Sequence, residues 1–284
     1  MASGSPGVIG TLNLLRDFFE LDFITRAVAV GLPVSVCAAL LGVPLVLKRF
    51  SMIGDGLSHV GFGSLCVALV MNASPLRVSV PVVMLAAFFL LRLSESGKIK
   101  GDAAIAVISS SSLAIGVLVV SLSGGMNMDV YSYLFGSVLA MSRGDVRLGL
   151  ALSAAVLFLF AFFYHKIFAV TFDESFAKAS GTKAGVYNTL LALLTAVTIV
   201  VGMRIMGAML ISSLIIFPAL TSMRVCRSFR SVVITSAIVS AVCFFIGLLI
   251  SFEFSTPAGA SVVAVNLLVF LLFTAAGKIK RKAL

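Results

Sequence analysis

Charged residues are scarce in this chain: only 11% of its 284 residues are Asp, Glu, Lys or Arg. A soluble domain typically has about 25% charged residues. So few charges cannot cover the surface of a water-soluble fold when 60% of the residues are hydrophobic and the mean hydropathy is +1.18. The composition therefore excludes an ordinary soluble domain and indicates a protein whose solvent is largely lipid.

Acidic residues are scarcer than basic ones, with 11 Asp and Glu against 21 Lys and Arg, which gives a net charge of +10. A positive balance can indicate nucleic acid as a partner. Here, however, the basic residues lie in the breaks between apolar runs, and that is the pattern of cytoplasmic loops in membrane proteins. We therefore expect a lipid bilayer, and no nucleic acid, among the partners.

Several motifs of enzymes are missing from the sequence. It has no GxxxxGK[ST] phosphate loop, no GxSxG and no HExxH. Its four cysteines are dispersed without a CxxC pair, which is typical of small buried side chains. We therefore expect that the chain is not an enzyme and has no permanently bound cofactor. If the activity uses ATP, its hydrolysis is expected on a separate chain.

Long apolar runs are abundant. About 20 apolar residues span a bilayer, and nine runs qualify: 24–47, 50–71, 76–93, 103–123, 147–169, 185–203, 206–223, 231–252 and 257–277. A tenth run, 130–141, is too short, and we expect a re-entrant segment covered by protein or a water-filled cavity. The predicted fold is all-α: a polytopic transmembrane helix bundle of 8–9 spans plus one short re-entrant segment.

The distribution of Lys and Arg predicts the orientation of the bundle. Most basic residues follow the first, third, fifth, seventh and ninth runs, so these loops and the C-terminus are expected on the cytoplasmic side. Residues 1–22 lack a basic start followed by an apolar core, so we expect an interfacial segment there rather than a signal peptide. Residues 23–284 are expected to form a single transmembrane domain.

Asp55 and His59 interrupt the second apolar run. In a helix that starts just after Arg49, Asp55 would lie about 9 Å and His59 about 15 Å into a core roughly 30 Å thick. Residues four apart share a helix face, and a charged Asp at mid-helix costs about 2.5–3.5 kcal/mol. A carboxylate with an imidazole suits Zn²⁺, Mn²⁺ or Fe²⁺. The alternative is an Asp–His hydrogen bond between packed helices.

Residues 172–181, with the sequence FDESFAKASG, lie in a loop that the charges place in the cytoplasm. Asp173 can cap a short helix, and Gly181 can end it in the left-handed conformation. Phe172 and Phe176 are four residues apart, with charges beside them. We predict a short amphipathic helix, which either contacts a partner or lies on the membrane surface.

Together these residues resemble the permease subunits of ATP-binding-cassette importers for zinc, manganese and iron. The resemblance covers about residues 24 to 277 and rests on four motifs in order: Lys48-Arg49 with 54–59, then 131–139, 173–181, and 207–211 with 217–219. It implies a homodimeric permease in the bacterial cytoplasmic (inner) membrane, with the pore at or near the dimer axis. It also implies an ATP-binding subunit at the cytoplasmic face and an extracytoplasmic metal-binding protein.

The resemblance also implies roles for particular residues. Asp55 and His59 would be the metal ligands of the pore, and the helix within 172–181 would be the coupling helix. In that helix the expected coupling positions are Asp173, Glu174, Ala177 and Gly181. We expect bulky or oppositely charged residues at Glu174 and Ala177 to uncouple the ATPase while the bundle stays folded. The family often has an acidic residue at the position of Ser137. This chain has serine there instead, so a role of that acid in metal entry is not carried over.

Zinc is the first expected substrate, followed by manganese and iron. Two Asp–His pairs from two copies give two nitrogens and at least two oxygens, which all three ions accept. An ion-gradient-driven secondary metal transporter is the alternative; that class often shows repeated halves, broken helices and several buried acids. An intramembrane enzyme would need a fuller site than one Asp–His pair.

Overall fold

The computed structural model describes residues 22–95, 101–123 and 143–282. The predicted re-entrant segment 130–141 lies outside the described residues, and so does nearly all of the predicted interfacial segment 1–22. The described ranges contain helices, turns and short connections, with no β-strand in them.

Helices account for most of the described chain. They are α1 (Asp22–Leu47), α2 (Ile53–Val70), α3 (Pro75–Glu95), α4 (Gly101–Leu122), α5 (Arg143–Phe162), α6 (Tyr164–Phe172), α7 (Glu174–Ala179), α8 (Ala184–Met206), α9 (Ala208–Val225), α10 (Phe229–Phe254) and α11 (Ala258–Lys282). Eight of them, α1–α4 and α8–α11, are long and apolar enough to cross a membrane. The predicted all-α polytopic bundle is therefore confirmed.

The run 147–169 does not form the single straight span that the sequence predicts. It is divided at Phe163 into α5 and α6, which are bent by 67° relative to each other, so it can count as a ninth span only as a broken one. The ring of Phe163 packs against Tyr187 with centroids 5.7 Å apart. Ile167 and Val170 of α6 are fully buried against the bundle. These tertiary contacts favour the bend, although no Gly or Pro marks it.

The helices differ in how much of their surface the protomer itself covers. In α2, 72% of the apolar window is buried, and α1, α8 and α9 are more than 60% buried. By contrast, α3, α4 and α11 bury 28% or less. Helix α2 therefore lies at the centre of the protomer, with α3, α4 and α11 towards its outside.

Two contacts join helix ends and connections that the charge pattern places on one side of the membrane. Lys48, after α1, forms an ion pair with Glu174 of α7 at 3.1 Å. Near the C-terminus, Gly277 of α11 lies against the backbone of Arg224, whose carbonyl oxygen would be 2.9 Å from a Cβ added at that glycine. Both contacts agree with the predicted orientation, in which these four positions are cytoplasmic.

Candidate functional site

Asp55 and His59 share one face of α2, as their spacing predicts. Asp55 Oδ2 and His59 Nε2 are 3.6 Å apart, which is too long for a hydrogen bond. Their side chains are 39% and 26% exposed. The two groups therefore stand side by side on one helix without being hydrogen-bonded through these atoms, so both can turn towards a third group.

This pair forms the accessible strip of an otherwise buried helix. From Ile53 to Leu65, every residue of α2 is buried except Asp55 and His59. Burying an ionisable side chain away from water is costly, and the opening at these two positions leaves both side chains partly accessible in the protomer. An ion or a second protein surface could reach them through this strip.

Glycines explain why the remaining faces of α2 are closed. A Cβ added at Gly63 would overlap the carbonyl oxygen of Ser112 in α4, and one added at Gly61 would lie 2.8 Å from the Met203 methyl group of α8. Small residues allow such close backbone approach between membrane helices. The glycine-rich sequence around the pair therefore serves helix packing, and it leaves Asp55 and His59 on a face that no neighbour among the described residues fills.

Gly63→Ala should destabilise the bundle, whereas Gly185→Ala should not. The new methyl group at Gly63 meets rigid backbone, and overpacking of this kind costs about 1–3 kcal/mol. A Cβ at Gly185, in the first turn of α8, has no atom within 4 Å. Thermal unfolding of the two variants in detergent would measure the difference. Equal melting temperatures would contradict the close α2–α4 contact.

The structure fixes the position of the pair along its helix. Helix α2 begins at Ile53, and residues 48–52 before it are not helical. With a rise of about 1.5 Å per residue, His59 lies about 9 Å along the helix, roughly 4 Å short of its midpoint. The pair therefore lies in the half of α2 that follows Lys48 and Arg49, and its depth in the bilayer stays a prediction.

The pair offers two potential metal ligands, and the described part of the protomer adds no cluster of others. Within it, no group of three or more His, Cys, Asp or Glu side chains is placed to hold a metal ion. His59 Nδ1 is buried and has no hydrogen-bond partner among these residues. A zinc site normally has four ligands. The described residues therefore offer at most half of a four-ligand protein site at this position.

The predicted helix in the 172–181 segment is confirmed as α7. Asp173 Oδ1 accepts a hydrogen bond from the Phe176 amide at 2.9 Å, so it caps the helix as predicted. Gly181 has φ +83°, and the Thr182 amide donates to the Ala177 carbonyl at 2.9 Å. This hydrogen bond across a left-handed residue is the Schellman ending that the glycine predicts.

The side chains of this segment point in two directions. Phe172 and Phe176 are mainly exposed, whereas Ala177 is fully buried beside Val170 and Ala184. A bulky residue at Ala177 would therefore disturb the packing of α7 against α6 and α8. The expectation that such changes uncouple the ATPase while the bundle stays folded remains a prediction at both positions, and Glu174 has the more exposed side chain of the two.

Glu174 ties α7 to the body of the bundle. Its Oε2 accepts hydrogen bonds from Lys48 Nζ at 3.1 Å and from Asn188 Nδ2 at 3.0 Å, and its Oε1 pairs with Lys178 Nζ at 2.8 Å. Lys48 Nζ also donates to Asn188 Oδ1. Burial alone would raise the pKa of Glu174, but hydrogen bonds from Lys178, Asn188 and Lys48 outweigh it and lower the pKa to about 2.

The sequence did not indicate Lys48 and Asn188 as partners of Glu174, although Asn188 is a polar residue in an apolar run. We call Lys48, Glu174 and Asn188 the clamp. It joins the end of α1, the start of α7 and the start of α8. Lys48 is only seven positions before Asp55, so the clamp holds the connection that leads directly into the helix carrying the polar pair.

A tight turn joins α1 to α2 beside the clamp. Arg49 has φ +64°, and the Phe50 amide donates to the Leu45 carbonyl at 2.8 Å. A non-glycine residue in this left-handed region costs about 1–2 kcal/mol. The surrounding contacts therefore hold the turn in a conformation that the isolated chain would rarely adopt.

Comparison with known protein families identifies the family of this chain. The ABC 3 transport family matches residues 20–277 of the chain. The chain belongs to the ABC 3 transport family. The resemblance to ATP-binding-cassette permeases is thereby confirmed, and the match includes the polar pair of α2, the clamp and α7.

Relatives in this family match over nearly their full length. The manganese import system permease protein ScaB of Streptococcus gordonii is 27% identical over 260 residues, which cover 92% of this chain and 93% of that protein. The high-affinity zinc uptake system membrane protein ZnuB of Haemophilus influenzae is 30% identical over 255 residues, covering 89% and 97%. The chain is therefore similar to whole permeases, not to a fragment of them.

A solved structure shows the same fold. PsaBC from Streptococcus pneumoniae, in complex with Fab, aligns with a TM-score of 0.83 and 26% identity, covering 95% of this chain and 99% of that one. As a member of the ABC 3 transport family, the chain is a multi-pass membrane permease, a transport component, and the bacterial inner membrane fits it. This membership leaves the secondary transporter and the intramembrane enzyme without support.

Proposed function

We propose that this chain forms the translocation pore of an ATP-driven importer for a divalent transition metal. The observation that carries the proposal is the Asp55–His59 pair, which occupies the accessible strip of the most buried spanning helix in a permease of this family. A carboxylate oxygen and an imidazole nitrogen are ligands for Mn²⁺, Zn²⁺ and Fe²⁺. Relatives are named for manganese import and for zinc uptake.

A second copy of the chain completes the site. Two-fold symmetry would place two strips opposite each other, so that two Asp55 carboxylates and two His59 imidazoles face one ion. Each protomer contributes one Asp–His pair, so the dimer supplies four ligands. Because the ion must also leave, a geometry short of the ideal tetrahedron suits a transport site better than a permanent one.

ATP hydrolysis belongs to a separate subunit at the cytoplasmic face. The permease sequence has no phosphate loop. The exposed side chains of Phe172, at the end of α6, and Phe176, in α7, lie on the same side as Lys48. Movement of an ATPase against α7 would reach α2 through the clamp and the turn at Arg49. In this arrangement Asp173 and Gly181 shape the coupling helix, Glu174 anchors it, and Ala177 packs it against the bundle.

An extracytoplasmic protein would deliver the metal. The Asp–His pair cannot by itself separate Zn²⁺ from Mn²⁺ or Fe²⁺, since all three accept these ligands. The choice of ion would then be made largely before the pore, by the delivering protein.

Uptake into proteoliposomes tests the proposed function. The permease, reconstituted with its ATP-binding subunit and binding protein, should accumulate radioactive manganese or zinc only when ATP is enclosed with the ATPase. An unlabelled excess of the true substrate should compete with the labelled ion. Metal accumulation driven by a proton or sodium gradient without the ATPase, or no uptake of any of the three ions, would contradict the proposal.

A further inference from the structure

A cavity of about 840 Å³ opens beside α7, away from the Asp55–His59 strip. It lies between the end of α3 and the start of α8, at the end of the bundle that carries the clamp. We call it the α3–α8 groove. Its lining includes Arg92 of α3, Lys183 before α8 and the apolar residues Val186, Leu190 and Leu193 of α8.

Positive charge dominates one end of the groove. Three cations line it, namely Arg92, Lys178 and Lys183, and no Asp or Glu is among the described residues that line it. Glu174 pairs with Lys178 and offsets one of the three charges. Arg92 is held over the Phe88 ring, with 5.4 Å between its Cζ and the ring centroid. Arg92 and Lys183 therefore leave a net positive pair of charges at the rim, which suits an anion.

The other end of the groove is apolar. Val186, Leu190 and Leu193 are spaced four and three residues apart, so they form one stripe along α8. The helical distance from Lys183 to Leu193 is about 15 Å. The stripe therefore extends from the basic rim into the membrane-spanning part of α8. A soluble anion would contact only the rim, whereas a molecule with an anionic head and a hydrocarbon chain would use the whole groove.

We propose that the α3–α8 groove binds an anionic phospholipid of the cytoplasmic leaflet. Its phosphate lies between Arg92 and Lys183, and one acyl chain lies along Val186, Leu190 and Leu193. Basic pockets between spanning helices on the cytoplasmic side favour such headgroups. Because the turn 181–183 forms both the end of α7 and one side of the groove, bound lipid holds the coupling helix against the bundle. The site requires only the bilayer, so it is independent of the transported metal.

The test compares lipid retention by purified permease variants. Native mass spectrometry after delipidation should show that the wild type retains phosphatidylglycerol in preference to phosphatidylcholine. The double variant R92Q/K183Q should lower retention of phosphatidylglycerol by about tenfold or more, since each cation contributes to the attraction. Gly185→Phe should also lower it by filling the groove, because an added Cβ there has no atom within 4 Å. Arg230→Gln, which removes an exposed cation outside the groove, is the matched control and should retain the wild-type ratio.

Three results would overturn the proposal. Equal retention of phosphatidylglycerol and phosphatidylcholine by the wild type would show that the basic rim does not select a headgroup. Full competition by inorganic phosphate or by glycerophosphoglycerol, which has no acyl chains, would assign the rim to a soluble anion. Loss of ATPase binding in R92Q/K183Q, with unchanged lipid retention, would assign the groove to the partner subunit. None of these measurements depends on metal transport, so the proposed function can fail or hold separately.

Discussion

Asp55→Asn and His59→Ala should each lower metal uptake by about a hundredfold or more while the permease still assembles with its ATPase. The Asn variant keeps the shape of the side chain but removes the negative charge, and the Ala variant removes the ring nitrogen. In a symmetric dimer His59→Ala deletes two of the four proposed ligands at once, and Asp55→Asn replaces two charged oxygen ligands by weaker neutral ones. Loss of groups that only orient a ligand already costs about 10–100-fold in metal affinity, so loss of the ligands themselves should cost more.

Two residues of the same types provide the controls for this prediction. Asp102 lies in the first turn of α4 with an exposed carboxylate, and His165 is exposed in α6. Asp102→Asn and His165→Ala should transport at nearly the wild-type rate. Metal bound by the purified assembly, measured by elemental analysis, would separate lost binding from lost movement. Wild-type uptake by both Asp55→Asn and His59→Ala would instead make the pair a packing feature of α2.

Lys48→Met should uncouple ATP hydrolysis from uptake, lowering the ions transported per ATP by about tenfold. It removes a charged partner from Glu174 and from Asn188, and a hydrogen bond to a charged group contributes about 1.5–3 kcal/mol. Without it, α7 is less firmly joined to the connection that leads into α2. Uptake and ATPase rates measured on the same proteoliposomes give the ratio directly.

Lys178→Met is the matched comparison for the clamp. Lys178 also pairs with Glu174, but the two residues lie four apart on the same helix, where such a pair is worth only about 0.3–0.5 kcal/mol. Hydrogen exchange of residues 173–181 should therefore rise clearly in Lys48→Met and little in Lys178→Met. Similar exchange in both variants and the wild type would show that the clamp does not restrain α7.

The charge state of Glu174 sets the pH range of this restraint. Its pKa is lowered from 4.5 to about 2 in the folded chain, with the hydrogen bonds from Lys178, Asn188 and Lys48 outweighing the effect of burial. A lowered pKa contributes stability that is complete above the unfolded value and is lost as the pH falls through the folded value. The clamp is therefore intact throughout the physiological range and weakens only between about pH 4.5 and 2.

Local rules explain the parts of the structure that the sequence predicts well. The helix α7 follows from Asp173 as an N-cap and Gly181 as a left-handed ending, because both act on backbone groups within a few residues. The shared face of Asp55 and His59 follows from the helical period alone. The number of spans follows from the lengths of the apolar runs, except that the run 147–169 is divided at Phe163.

Contacts between distant residues explain the parts that the sequence does not predict. Lys48 and Asn188 are hydrogen-bonded although they lie 140 positions apart in the sequence. No local sequence pattern predicts a hydrogen bond between residues so far apart. The bend at Phe163 and the burial of Ala177 depend on how α6, α7 and α8 pack. Arg49 has a positive φ where the residue type favours helix, so the start of α2 at Ile53 could not be read from the apolar run.

The glycine contacts of α2 have a mechanical consequence. At Gly63 the backbones of α2 and α4 touch without an intervening side chain, so there is no layer of flexible side chains along which the two helices could slide. Closely packed surfaces of this kind change position in discrete steps or move together, rather than shearing gradually. We therefore expect α2 and α4 to move as one unit during transport, with the change in their orientation taken up at their ends, for example at the turn that contains Arg49.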